Sequence, residues 1–244
     1  MHSLRIFFLL LPFAAHQVAA QDNTQQINRG GFYSSCANSF PNPLFKGESK
    51  KTFDSIFDYW LSTKYKDKRW LAYIFATAYR ESAGTMQPVR EGKSGKCKTD
   101  QCSIDTVTAM INKRNGELRK ENKKEIENYS LPVNGKSYFG RGLVQITHKR
   151  NYARVGQTLG WGNQLVENPG LALDREKAIT ILIEGAVQGM FSKDKETGEW
   201  RKLSTYLNDQ TTDWVGARKV INPGSARAHI PAEHAQKFYA CLAK

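Results

Sequence analysis

The sequence predicts a mainly helical domain, in one piece or as two helical lobes flanking a cleft, with no more than a small β-sheet. Three observations predict it. Residues 71–79, LAYIFATAY, and 181–187, ILIEGAV, are apolar almost all round, as in helices that have no wet face. Elsewhere apolar residues recur at helical spacing, as in Phe53, Ile56, Phe57 and Trp60, or Tyr152, Val155 and Leu159. Only the run 138–146 reads as strand.

In chain order, residues 1–20, MHSLRIFFLLLPFAAHQVAA, have the basic Arg5, an apolar run and small residues at Val18 and Ala20, the pattern of a signal peptide. The run is too short for a membrane helix, and Pro12, His16 and Gln17 break it. Its removal leaves 224 residues, enough for one sizeable core. Residues 21–50 are polar and turn-rich and read as an N-terminal arm anchored by Cys36, ahead of a catalytic domain over 51–244. An amphipathic helix covers 51–63, and Asp67 caps the buried helix that follows. A further amphipathic segment starts at Thr106 with Val107, Met110 and Ile111, and is weakened by Gly116. Residues 122–136 form a loop ending in the turn signal Asn134-Gly135. Tyr138-Phe139 and 143–146 are predicted as short strands broken by Gly140 and Gly142. Helices are expected over 151–159, from the cap Asp174 to Phe191, weakly over 203–207, and from Pro231 to the end with Phe238, Tyr239 and Leu242 inward.

The chemistry concentrates in 71–92, LAYIFATAYRESAGTMQPVREG, where the buried helix runs into two glutamates. Gly84 falls just past the helix end and leaves Glu81 in the last turn, on a face shared with Thr77 and Ile74. A carboxylate drawn into apolar surroundings is costly to ionise, so Glu81 is expected to carry a raised pKa, as a general acid requires. Glu91 lies beyond Gly84 and Pro88 between Arg90 and Lys93, where solvent and positive charge would keep it ionised as a base. Two carboxylates in opposed settings are the usual pair of a glycosidase, at either the retaining or the inverting separation.

The chain holds 36 basic and 23 acidic residues; without the leader, which carries Arg5 and no acid, the balance is +12. Such a charge favours polyanions, among them bacterial wall polymers, acidic polysaccharides and nucleic acid. Much of it lies in 113–124, KRNGELRKENKK, a solvated face or loop. Nucleic-acid signatures are missing. Of the three pairings open to Cys36, Cys97, Cys102 and Cys241, Cys97 with Cys102 and Cys36 with Cys241 is preferred to the crossed ones. His148, His229 and His234 stand at no metal-ligand spacing from the cysteines, so neither a metal nor a cofactor is expected.

The blocks 76–92 (ATAYRESAGTMQPVREG), 138–152 (YFGRGLVQITHKRNY) and 217–222 (ARKVIN) resemble glycoside hydrolase family 19, the chitinase family that also includes endolysin-like members, in the family's order over about residues 53–242. The resemblance implies a lysozyme-like fold of two mainly helical lobes flanking a cleft with a small sheet at one wall, and inverting hydrolysis of β-1,4-linked N-acetylhexosamine polymers. It implies that Glu81 is the acid, Glu91 the base, and Thr147 the hydroxyl that helps hold the attacking water. Gln145, Asn151 and Asn222 match sugar-contacting positions; without the family, Gln145 and Thr147 read as strand residues and Asn151 as a helix cap. Tyr138 and Tyr152 are candidate stacking platforms. Arg80 departs from the family's common histidine, and Ala235 stands where many members carry an arginine. The expected function is a secreted enzyme on chitin, periplasmic if the source is bacterial. Peptidoglycan is the alternative substrate and a catalytically lapsed carbohydrate-binding protein a further one. The partner is a polysaccharide, with no nucleic acid and no membrane after cleavage, and a monomer is expected.

Overall fold

The computed structural model describes residues 27–41 and 43–244; the expected leader and the start of the arm lie outside the described residues. The described chain is mainly helical with one two-stranded sheet. Its first helix, α1 (Arg29–Cys36), lies inside the predicted arm. The Asn28 side chain accepts from Gly31 N–H at its start, and Phe32 is wholly buried against Phe57, Phe75 and Phe53, so part of the arm is core rather than extension.

α2 (Gly47–Ser62) buries Phe53, Ile56, Phe57 and Trp60, the predicted face. α3 (Lys68–Glu81) opens at Asp67, whose side chain accepts from Arg69 N–H, and is buried from Leu71 to Ala78. It packs most extensively on α9 (His229–Leu242) and also meets α7 (Arg175–Gln188). α7 starts at the cap Asp174 and ends at Gln188, three residues short of the expected Phe191, with Gly189 as its C-cap. In α9 Phe238 and Leu242 are buried, but Tyr239 is exposed and leans on Trp214 instead of the core. Cys36–Cys241 ties α1 to α9.

The second lobe is built on α4 (Asp100–Lys120), which begins six residues before the expected start and runs through Gly116. Thr99 caps it, Cys97–Cys102 closes the loop before it, and beside Gly116 the amide of Asn115 pairs with both N–H and C=O of Ile126. Those two hydrogen bonds outweigh the modest helical cost of one glycine. Val107, Ile111 and Phe139 form its small separate core. The turn at Asn134-Gly135 is present, with both residues at positive φ inside the Val133–Lys136 bridge.

The strands differ from expectation. β1 (Val89–Arg90) pairs antiparallel with β2 (Arg141–Gly142), whereas 138–139 and 143–146 are not strand. Gly142 has φ +85°, and a Cβ there would lie 2.5 Å from Ala172 O, so the predicted break is where the chain must pass closest to its neighbour. Arg141 and Ile146 exchange backbone hydrogen bonds around the turn that follows. α5 (Lys149–Thr158) and the short α6 (Gln164–Glu167) complete this side, α8 (Leu203–Tyr206) precedes the 3-10 turn Gly216–Val220, and no described helix is long and apolar enough to cross a membrane.

Candidate active site

A cleft of about 320 Å³ is lined by Glu81, Tyr129, residues 144–148, Asn151, Phe191, Arg218, Ile221 and Asn222. One wall is the end of α3. Glu81 is its last residue, and the chain turns away as Gly84 N–H donates to Tyr79 O at 2.8 Å. The buried face of α3 therefore delivers Glu81 to the cleft with its side chain 18% exposed. Its charged neighbour is Arg218, Nη1 to Oε1 2.6 Å, from the 3-10 turn before α9. The pair is close but not aligned as a hydrogen bond, so Glu81 Oε1 and Arg218 Nη1, with Arg218 Nε and the Tyr73 hydroxyl, are buried without one. Few native polar groups are left so, and their gathering beside Glu81 marks the site. Arg80 is exposed and makes no ion pair among the described residues, so it is not the cation that Glu81 meets.

Glu91 follows β1 and is gripped from two sides. Its Oε1 accepts from the Tyr129 hydroxyl at 2.7 Å and its Oε2 from Gly140 N–H at 2.6 Å, while its own N–H donates to Gly140 O at 2.8 Å. Neutral donors take the place of the expected Arg90 charge, because the Arg90 guanidinium turns to Asp100, while Glu91 itself stays partly exposed. Burial and the adjacent carboxylate push the Tyr129 hydroxyl pKa well up, so it remains a donor across the working pH range. His148, 4.8 Å from the Tyr129 ring, is shifted below 6.5 by burial and by Arg150 and is predominantly neutral at pH 7.

Gln145 lines the cleft at φ +54°, a conformation costly for a side-chain-bearing residue. Its Nε2 donates to Val89 O and Gly142 O, both at 3.0 Å, and so ties the turn to β1. The Thr147 hydroxyl, also in the lining, donates to Gln145 O. Asn151 is the third residue of α5 rather than its cap: it donates to Thr147 O and accepts from Arg154. Asn222 reaches the cleft from the exposed loop after the 3-10 turn. Tyr138 and Tyr152 are not at the surface. They are 3% and 0% exposed, packed edge-to-face, and their hydroxyls donate to Val166 O and Phe139 O, so in this arrangement they support the cleft wall from behind and offer no face to a sugar. Ala235 is buried in the core.

Sequence reasoning missed Tyr129, His148 and Arg218. The last stood in the block ARKVIN beside Asn222, and His148 beside Thr147, whereas nothing in the loop around Tyr129 marks it out.

The frame itself is shared with a known protein class. The crystal structure of a chitinase C mutant superposes with a TM-score of 0.52 over 89% of this chain and 93% of that one, at 16% identity, a likeness of fold. Residues 62–189, more than half of the chain, match the family described as chitinase class I, and the chain belongs to that family, glycoside hydrolase family 19. Over 34 residues it is 56% identical to an acidic 26 kDa endochitinase of Solanum lycopersicum, and equally to the acidic endochitinase pcht28 of Solanum chilense. The aligned stretch is 14% of this chain and spans only 13% of each relative.

Proposed function

We propose that the protein is a secreted, monomeric, endo-acting glycosidase that cleaves β-1,4-linked N-acetylglucosamine polymers, chitin first, with inversion. The observation that carries this reading is the pair of glutamates in unlike settings: Glu81 lines the cleft beside a buried guanidinium, and Glu91 is held by two neutral donors, one of them the hydroxyl of the cleft-lining Tyr129. Glu81 gives its proton to the leaving glycosidic oxygen while Glu91, an acceptor on both oxygens, takes one from water attacking the opposite face. The Thr147 hydroxyl, fixed by Gln145 O, helps hold that water. Asn222 and the outward part of Gln145 offer neutral groups to sugar hydroxyls and acetamido groups, and Asn151 orders the wall beside them.

The +12 balance favours a second reading, cleavage of anionic peptidoglycan in the same cleft. Purified protein incubated with chitin oligomers and, separately, with peptidoglycan decides between them by the masses of the fragments. Chitin oligomers are expected to shorten; binding without any fragment would mean a carbohydrate-binding protein. Glu81→Gln is expected to abolish cleavage with the circular dichroism spectrum unchanged, since the amide keeps the shape but has no proton to give. Proton NMR of the first products should show the α-anomer, and initial β-product would remove the one-step displacement.

A further inference from the structure

The ladder between β1 and β2 sets Arg90 directly opposite Arg141. Like charges in facing positions destabilise a strand pair. Yet this strand pair holds Glu91, which follows Arg90 in the chain and exchanges two hydrogen bonds with Gly140, the residue before Arg141. Arg141 cannot swing away into water. It is 1% exposed, stacked on the Phe139 ring, and its Nη1 donates to Ser137 O and the Tyr152 hydroxyl.

A single side chain at the start of α4 meets the conflict. Asp100, the first residue of α4, accepts from Arg90 Nε on one oxygen at 2.7 Å and from Arg141 Nη2 on the other at 2.8 Å. Cys97–Cys102 closes the loop that presents it, and the first turn of a helix favours a negative charge. Burial opposes ionisation of Asp100, but the two guanidinium groups outweigh it and hold the carboxyl below its usual range, so the clasp is charged at neutral pH.

We infer that Asp100 is a positioning residue for Glu91, clasping the two facing arginines so that the strand pair keeps Gly140 N–H aimed at the Glu91 carboxylate. The inference rests on the reading of Glu91 as the base of the proposed hydrolysis. It differs from a general stabilising role in what it expects of Arg90. Without Asp100 the repulsion between Arg90 and Arg141 acts on the strand pair, and removing one of the two charges should relieve it.

The test uses Asp100→Asn, Asp100→Ala and Asp100→Ala with Arg90→Gln in the full chain. Both single variants are expected to lose about 10- to 100-fold in kcat, the scale of a small misplacement of a catalytic group, with KM within about twofold. Adding Arg90→Gln to Asp100→Ala is expected to recover part of the loss. In a Glu91→Gln background, Asp100→Asn should cost nothing further. Amide hydrogen exchange at Glu91 and Gly140 should quicken in the single variants and slow again in the pair, and this reading needs no activity at all. If Glu91→Gln keeps its activity, the assignment of the base fails while exchange still decides the clasp. Wild-type kcat and wild-type exchange in Asp100→Asn would overturn the inference, as would Arg90→Gln making Asp100→Ala worse.

Discussion

One methyl group at Gly140 tests how tightly Glu91 is held. A Cβ there would lie 2.9 Å from Gln145 Oε1 and 3.0 Å from Glu91 Oε2, both ends of side chains that line or support the site. Gly140→Ala should therefore fold, because those ends can shift, and lose about 10- to 100-fold in kcat, because Glu91 is then misplaced. Unchanged kcat would show that Gly140 merely fills space. At this scale the sequence pointed to Glu81, Glu91, Gln145 and Thr147, since they stand in compact motifs. It did not point to what they touch: Tyr129 comes from a loop 38 residues beyond Glu91, and Arg218 from a turn far beyond Glu81.

Among the elements, α7 was legible from its cap and along its length, though not at its C-terminal end. Asp174 accepts from Lys177 N–H, and Ile179, Ile181, Leu182 and Ile183 are buried beneath it. Asp174→Ala should lower the unfolding free energy by about 1 kcal/mol, the usual worth of an N-cap, and leave kcat alone because α7 meets the cleft only through the core. Urea unfolding with a turnover assay checks both, and a fall in kcat would place α7 closer to the chemistry. The sheet was the least legible element. A ladder of two pairs has too few residues to show alternation, and its position follows from the approach of Gly142 to Ala172 O. The start of α4 was hidden for a similar reason, since its first turn is held by the Thr99 cap and a disulfide loop rather than by an apolar stripe.

Over the whole molecule, stability should rise with pH through the weakly acidic range. Burial, with Arg150 beside His148 and with Lys237 and Arg80 near His234, lowers both histidines below 6.5. Glu91 and Glu127 oppose this at His148, and Glu233 at His234. The unfolded chain then binds protons more readily, so stability is full above about 6.5 and is lost as pH falls toward the folded values. The urea midpoint should climb as pH rises toward 6.5, and His148→Gln with His234→Gln should flatten the climb; an unchanged slope would assign it to other groups. By itself the sequence determined α2, α3, α7 and α9 in outline, most of their inward faces, the caps at Asp67 and Asp174 and the turn at Asn134-Gly135, because periodicity, capping and turn geometry act over a few residues. Tertiary structure alone decided that Glu81 faces Arg218 and not the adjacent Arg80, that neutral donors hold Glu91, and that Tyr138 and Tyr152 lie behind the wall. Charge pairing and burial act through space, between residues that only the folded chain brings together.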